Sequence, residues 1–218
     1  MSYLDNIYNF NNYEYLNPSQ NRYGNLELTA YPATQVVTTA ELKSQLRIDT
    51  SDEDTLLSTY ISAATQMAEN YCNRHFCTAK YKIWFNELPT KFSLYYPDCK
   101  FSLSGNNKDG LYYLASSGTT YTYFIADNWF CNNNSNPNIV TLHNTPTAID
   151  TNDLNGENDQ VYYFQFQTGF GDAASDVPDA IKQAIKLIAS DMYYFREDRK
   201  RAFPMASEIL LQPYKCYL

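Results

Sequence analysis

Residues 37–72, with the sequence VTTAELKSQLRIDTSDEDTLLSTYISAATQMAENYC, contain two patterns that start helices. Thr38 and Glu41 have the spacing of a capping box, in which each side chain satisfies a backbone N–H group of the new helix. Ser51 is a second candidate cap, because it precedes three carboxylates that the positive end of a helix dipole favours. The apolar residues after Ser51 recur at steps of three and four, which predicts a long amphipathic helix with one buried stripe. They are Leu56, Leu57, Tyr60, Ile61, Ala64, Met67, Ala68, Tyr71 and Cys72.

A third helix is predicted much later in the chain, after Val177. Pro178 stands where the first helical residue is expected, and Asp179 places a carboxylate in the first turn. Apolar residues then recur at helical spacing, and we expect the helix to continue to about Arg201. These residues are Ile181, Ala184, Ile185, Ile188, Met192 and Phe195.

Residues 78–168 have a different pattern. Short runs rich in aromatic and β-branched side chains alternate with turn-forming Asn, Gly and Pro, which is typical of an antiparallel sheet. The predicted strands are 79–85, 111–114, 119–125, 138–142 and 161–167.

These elements predict an α+β fold with a helical core of two or three helices. Two amphipathic helices far apart in sequence each need a partner for the apolar face, and packing them together provides it. We expect an extended N-terminal arm at 1–36. It is rich in Asn and Tyr without a regular period, so it has aromatic side chains to bury but no pattern for a core of its own, and we expect it to lie on a neighbouring surface. The alternative is a disordered terminus. The other expected parts are a helical core at 37–77, an inserted antiparallel β lobe at 78–168, the long C-terminal helix of the core at 169–203 and a C-terminal docking tail at 204–218.

The composition is acidic and rich in aromatic residues. Of 218 residues, 24 are Asp or Glu and 16 are Lys or Arg, which gives a net charge of −8, and there are 21 Tyr and 12 Phe. Residues 1–168 contain 9 basic and 17 acidic side chains, whereas residues 169–218 contain 7 of each. Proteins that read DNA neutralise phosphates with clustered cations, so this balance disfavours that class. No apolar run approaches the length of about 18 residues that a membrane span needs, and the N-terminus lacks the pattern of a secretory signal.

Residues suited to catalysis or metal binding are few. The two histidines, His75 and His143, lie outside any triad pattern, which leaves a small hydrolase as a minor alternative. Cys72 and Cys77 flank His75, but zinc needs a fourth ligand and Cys72 belongs to the apolar stripe. The carboxylates of 150–159 do not follow the order of a calcium loop. We therefore expect no enzyme activity, no metal and no cofactor, with all five thiols reduced as in a protein assembled in a cytosol.

One basic cluster lies at 196–201, with the sequence REDRKR. Arg196, Arg199, Lys200 and Arg201 are expected to complement the dipole at the end of the third helix. The alternative is that they contact the acidic surface of a partner or the phosphates of passing DNA.

Several stretches, taken together in chain order, resemble the head-to-tail connector, or adaptor, family of tailed bacteriophages. The closing LLQPYK is similar to the family's Leu-Leu-x-Pro-Tyr-Arg, with Lys215 where the family usually has Arg. The other stretches are Val37–Asp49, Asp52–Leu57, Ile61–Ala64, Glu69–Tyr71, Thr168–Gly171, Val177–Ile185 and Tyr193–Glu197. The N-terminal arm has no recognised counterpart, and the β lobe agrees with the family only in its placement.

The resemblance implies a structural protein of the virion, at the head-tail interface, that is assembled in the cytoplasm of the bacterial host and catalyses no reaction. Such proteins form a ring, commonly a dodecamer, that docks below the portal protein, meets the next tail or connector protein and continues the channel for DNA ejection. An acidic surface suits passing double-stranded DNA that must slide without sequence-specific contacts. The resulting candidates for portal contact are Leu210, Leu211, Pro213, Tyr214 and Lys215, and those for the channel or a partner are Arg196, Arg199, Lys200 and Arg201.

The main alternative is an aromatic-rich module of a phage tail that binds carbohydrate or protein. Aromatic rings offer apolar faces on which a sugar stacks, and Trp84 and Trp129 are the candidate platforms. The competing explanation is that both rings fill the core of the β lobe.

Overall fold

The computed structural model describes residues 26–32, 34–85, 88–94, 96, 98–104, 108–114, 120–132, 138–146, 161–196 and 205–216. These residues form four α-helices and eight β-strands, so the predicted α+β fold class is confirmed. Most of the predicted N-terminal arm, the 150–159 loop and most of the basic cluster lie outside the described residues.

The two predicted helices of the first stretch are present. α1 spans Thr39–Leu46, and the predicted capping box is confirmed: the Glu41 backbone N–H donates to Thr38 Oγ1 at 3.2 Å, and the Thr38 N–H donates to the Glu41 carboxylate at 2.7 Å. α2 spans Asp54–Cys72 and buries the expected stripe. The prediction that Ser51 caps α2 is wrong, because Ser51 instead accepts the Asp54 N–H through its backbone carbonyl in a turn before the helix.

The third helix, α3, spans Asp179–Tyr194. Its start agrees with the prediction to within one residue, but its end comes well before Arg201. Phe195 leaves helical geometry, with φ −124° and ψ 81°, so Arg196 lies beyond the helix. The last turn contains no basic residue, so the expected complement to the helix dipole is wrong for Arg196.

A fourth helix, α4, spans Met205–Leu211 and continues into a 3₁₀ turn over Gln212–Tyr214. α3 packs against both α2 and α4, and α1 packs against α2 and α3. We refer to α1–α4 as the helix cluster. Its fully buried side chains include Leu42, Leu57, Ile61, Ile181, Ile185 and Leu211.

The strands form two antiparallel sheets. One has the order β1-β2-β8-β4-β5 and the other has the order β3-β7-β6. The strands of the first sheet are Leu26–Ala30, Ala79–Phe85, Tyr162–Thr168, Gly110–Leu114 and Tyr121–Tyr123, in that order; those of the second are Lys91–Ser93, Ile139–Leu142 and Trp129–Asn132. All five predicted strands are present, and β1, β3 and β6 are additional. β1 lies within the stretch predicted as an arm, and it pairs with β2 from Leu26 opposite Ile83.

The two sheets pack face to face, and we refer to β1–β8 as the β sandwich. The inner face of β2 presents Ile83 and Phe85, and the register places Phe164 of β8 beside Ile83. Phe92 of β3 contacts Phe164 with a ring-centroid distance of 5.2 Å, and Trp129 of β6 contacts the same ring at 5.1 Å. A continuous aromatic core thus joins the sheets.

Three backbone segments connect the helix cluster with the β sandwich: residues 31–38 lead from β1 to α1, residues 73–78 from α2 to β2, and residues 169–178 from β8 to α3. The second and third of these segments run side by side. The Thr78 N–H donates to Gly171 O at 3.0 Å, and the Phe170 N–H donates to Phe76 O at 2.9 Å. Gly169 has φ +124°, and a Cβ atom there would lie 2.6 Å from the carbonyl oxygen of Cys77. Only glycine fits at this position, because a residue with a side chain would be strained at this φ and its Cβ atom would clash with the Cys77 backbone.

Side chains reinforce the same junction. Arg74 follows α2, its side chain is 5% exposed, and its guanidinium lies 4.2 Å from the centroid of the Phe170 ring. Arg74 Nη2 also donates to Asp98 Oδ2 at 3.1 Å, and Lys100 Nζ donates to Phe170 O at 2.7 Å. The loop of Asp98 and Lys100 in the β sandwich is therefore tied to the end of the helix cluster.

We expect Gly169→Ala to lower the free energy of unfolding by about 2–4 kcal/mol, because it adds backbone strain and a clash with Cys77. The matched control is Gly110→Ala, whose φ of +134° is similar but whose nearest atoms are side-chain carbons of Trp129 and Tyr123 at 3.1 Å. Urea unfolding should show a larger loss for Gly169→Ala. Equal losses would mean that φ alone sets the cost and that the close approach to Cys77 contributes nothing.

Candidate assembly surfaces

The C-terminal segment is docked on the helix cluster of its own chain. The Cys216 N–H donates to Cys72 O at 2.8 Å, and Asn73 Nδ2 donates to Cys216 O at 3.0 Å. The Tyr214 ring meets Phe170 edge-on, with a centroid distance of 6.0 Å. One side of the predicted docking tail is thus already occupied by contacts with the end of α2 and with the junction.

The opposite side of this segment presents apolar side chains at helical spacing. Met205 and Ile209 are 61% and 64% exposed, and Pro213, four residues further on, is exposed as well. We refer to Met205, Ile209 and Pro213 as the C-terminal stripe. Large apolar groups that remain exposed at such spacing are typical of a surface that meets a partner.

The five predicted portal-contact residues divide between the two sides. Leu211 is fully buried and belongs to the core of the helix cluster. Pro213 is exposed, whereas Leu210, Tyr214 and Lys215 are half-buried at the border, with Lys215 Nζ 4.8 Å from the centroid of the Tyr71 ring. The sequence prediction missed Met205 and Ile209, which lie eight and four residues before Pro213, because this short run does not by itself assign the two side chains to the exposed side.

Arg196 lies at the start of α2 in space, although it follows α3 in sequence. Its Nη2 is 3.2 Å from the Glu53 carboxylate, which also accepts a 2.6 Å hydrogen bond from the Tyr193 hydroxyl. The hydrogen bond to Glu53 raises the pKa of Tyr193 above its ordinary value, since it stabilises the protonated phenol. Arg196 therefore ties α3 to α2, while Arg199, Lys200 and Arg201 lie outside the described residues.

The residues considered for catalysis have structural contacts. His75 Nδ1 lies 2.8 Å from Glu69, whose other oxygen accepts the Phe76 N–H at 2.8 Å, and the His75 ring stacks on Tyr81. His143 is exposed in a turn, where its backbone N–H donates to Asn128 O at 2.7 Å. Neither arrangement places a nucleophile beside a histidine base.

Burial disfavours the ionised form of the cysteine thiols. Burial raises the pKa of Cys72 to about 12 and that of Cys131 to about 11, and it raises the pKa values of Cys77, Cys99 and Cys216 as well. All five cysteines are free. Within the described part of the chain, no group of three or more His, Cys, Asp or Glu side chains is arranged to hold a metal ion. Over the same residues, no helix is both long enough and apolar enough to cross a membrane.

The two tryptophans occupy different faces of the five-stranded sheet. Trp129 is 9% exposed between the sheets, where it contacts Phe101 and Phe164. Trp84 lies on the face that points away from the second sheet, and its Nε1 donates to Glu27 at 2.7 Å. The explanation that both rings fill the core is therefore right for Trp129 and wrong for Trp84.

Comparison with known families agrees with the resemblance seen in the sequence. Residues 37–97 match the model of a family described as phage gp6-like head-tail connector protein. This range covers α1, α2, β2 and β3. The predicted resemblance to head-to-tail connectors is thereby confirmed. No curated protein matches the chain.

Solved structures of similar fold come from gene transfer agent particles. A chain in the neck of the empty particle, computed with C6 symmetry, superposes with a TM-score of 0.61 and 18% identity over 89% of this chain and 96% of that chain. A chain in the neck of the native particle, computed with C12 symmetry, gives 0.61 and 17% over 89% and 96%. A chain in the native virion gives 0.58 and 18% over 88% and 96%. At this level of identity, the likeness establishes a shared fold that extends over nearly the whole chain.

We expect Leu211→Ala and Ile209→Ala to differ sharply in stability, although both shorten an aliphatic side chain in α4. Leu211→Ala leaves a cavity in the helix cluster and should cost about 2–4 kcal/mol. Ile209→Ala removes an exposed side chain and should cost less than about 0.5 kcal/mol. Urea unfolding of the two variants measures the difference, and similar losses would show that α4 does not dock through Leu211.

Proposed function

We propose that this chain is a structural protein of the virion that forms a ring between the capsid portal and the tail and continues the channel for DNA. The observation that supports this role most directly is the match of residues 37–97 to a head-tail connector family. The likeness of the fold to chains in necks computed with C6 and C12 symmetry agrees with a symmetric assembly. The role needs no catalytic centre, which fits the structural contacts of His75 and the high thiol pKa values.

A closed ring needs two different surfaces on each subunit, because every copy meets its two neighbours through opposite sides. Exposed large apolar side chains occur on both parts of this chain. Tyr194 and Phe195 are 63% and 52% exposed at the end of α3, and Ile125 and Phe130 are 63% and 58% exposed on the β sandwich. Apolar groups at two separate places are what a head-to-tail contact requires.

Portal contact is assigned to the C-terminal stripe, with Leu210, Tyr214 and Lys215 at its border. The docked side of the segment fixes the direction in which the stripe faces, since Cys216 and Leu211 hold both ends of the turn against the helix cluster. A preorganised apolar surface loses less conformational entropy on binding than a flexible tail does.

The distribution of charge supports passage of DNA without tight binding. The acidic excess lies in residues 1–168, and such a surface repels a polyanion and prevents it from sticking to a channel wall. Arg196, already paired with Glu53, and the cations Arg199, Lys200 and Arg201 are assigned to a partner or to the channel.

Purified protein should form closed rings with a central hole in negative-stain images, with about twelve copies, the number that the resemblance to head-to-tail connectors implies and that agrees with the neck computed with C12 symmetry. Sedimentation should show a discrete large species that dissociates on dilution. A monomer at every concentration, with the fold intact by circular dichroism, would contradict self-assembly into a ring.

Portal binding is tested by Ile209→Asp, which places a charge in the C-terminal stripe without touching the core. Co-purification with the portal protein should fall at least about tenfold, because an unpaired charge would be buried in the contact. The control is Gln66→Asp, which adds the same charge to an exposed position of α2. Rings that form normally and still bind portal when Ile209 is replaced would exclude the stripe as the portal contact.

A further inference from the structure

The side of the five-stranded sheet that faces away from the second sheet contains a connected group of aromatic rings. The Tyr163 ring lies at its centre, stacked on Tyr112 with a centroid distance of 4.6 Å and an interplanar angle of 12°. Trp84 and Tyr121 contact Tyr163 at 4.9 Å and 5.0 Å, and Tyr123 contacts Tyr112 at 5.2 Å. We refer to Trp84, Tyr112, Tyr121, Tyr123 and Tyr163 as the outer aromatic face.

The tyrosines of the outer aromatic face are shielded from water, and a cation lies over the central ring. Burial raises the pKa values of the Tyr112, Tyr121 and Tyr163 hydroxyls above their ordinary value. Lys82 Nζ lies 4.6 Å from the centroid of the Tyr163 ring and 5.6 Å from that of Trp84. A cation held over aromatic rings favours an incoming segment that contributes aromatic groups and carboxylates.

No described helix or strand packs broadly on this face, although Lys108 Nζ lies 5.3 Å from the centroid of the Tyr123 ring and the Tyr123 hydroxyl donates to Asp109 O at 3.4 Å. The inner face of the sheet is covered by β3, β6 and β7, whose rings join the core of the β sandwich. Within the described residues, the helices pack extensively only with one another and with the turn after α4. A two-sheet sandwich does not need aromatic rings on its outer side, where polar residues are usual.

The register of β1 brings the preceding chain to this face. Leu26 pairs with Ile83, and β1 runs antiparallel to β2, so the start of β1 faces the end of β2 that contains Trp84. Glu27 lies on the outer side, because it accepts the hydrogen bond from Trp84 Nε1. Residue 25 is therefore joined to the sheet beside the outer aromatic face.

We propose that residues 1–25 of the same chain cover the outer aromatic face. This segment has the chemistry that the face favours, with two carboxylates and six aromatic side chains: Asp5, Glu14, Tyr3, Tyr8, Phe10, Tyr13, Tyr15 and Tyr23. Five strands at the usual spacing of about 4.8 Å span about 19 Å, a distance that about six extended residues cover. Asp5 and Glu14 are the partners for the ammonium group of Lys82.

The test measures how well acrylamide quenches the fluorescence of Trp84 in the full-length chain. One variant replaces five aromatic residues of the segment with Ser, at Tyr3, Tyr8, Phe10, Tyr13 and Tyr15. The matched control replaces five amides of the same segment with Ser, at Asn6, Asn9, Asn11, Asn12 and Asn17. Each variant is also made with Trp84→Phe, which leaves only the buried Trp129 and gives the background signal.

The aromatic variant should raise the quenching constant of Trp84 by about twofold, because the indole loses its aromatic cover, whereas the amide variant should leave it unchanged. Circular dichroism and thermal melting confirm that the sheets remain folded in both variants. Equal quenching in the aromatic variant and the unsubstituted chain would overturn the assignment.

A second measurement distinguishes the chain's own segment from that of a neighbouring copy. A mixture of ¹⁵N-labelled and unlabelled protein is treated with a zero-length carbodiimide, which joins the Lys82 amine to a nearby carboxylate. Cross-links from Lys82 to Asp5 or Glu14 should unite peptides of the same isotope. Mixed-isotope pairs would assign the cover to a neighbouring copy and would overturn the proposal for a single chain.

Discussion

The close approach of two backbone segments at Cys77 and Gly169 is the constraint on which the rest of the structure depends. The chain leaves the helix cluster after α2 and returns before α3, and both passages occur at this one place. The parallel bridge between Cys77 and Gly171 holds the two passages together. Because Gly169 lacks a side chain, the passages lie close enough for the β sandwich to attach through both strands of the junction.

Further chain segments converge on the same junction. The Phe170 ring contacts the Arg74 guanidinium, which is paired with Asp98, and it also meets the Tyr214 ring edge-on. The C-terminal turn and, through Arg74, the loop of Asp98 are therefore linked to one ring. Among the described residues, the buried Arg74 Nε group has no hydrogen-bond partner, and the stacking on Phe170 and the ion pair with Asp98 offset this cost. The C-terminal stripe and the β sandwich therefore have fixed positions relative to the same anchor.

The parts that could be predicted are those whose signals are local. The capping box of Thr38 and the period of α2 need no tertiary contact, so the first two helices and all long strands were predictable. β1, β3 and β6 were not, because each is an edge strand whose residues depend on pairing with a neighbouring strand. The side of α4 that faces the core was equally ambiguous, since a helix of seven residues contains too few turns for its period to choose between Ile209 and Leu211.

The two faces of the five-stranded sheet carry different aromatic residues. The inner face is filled mainly by phenylalanine, with Phe85, Phe164 and Phe166 fully buried, as expected where no water reaches the ring. On the outer face the rings are mostly tyrosine, and the hydroxyl of Tyr112 donates to the backbone carbonyl of Lys108 at 2.8 Å. A tyrosine buries an apolar ring while its hydroxyl keeps a polar partner at the edge. A half-buried sheet face therefore favours tyrosine over phenylalanine.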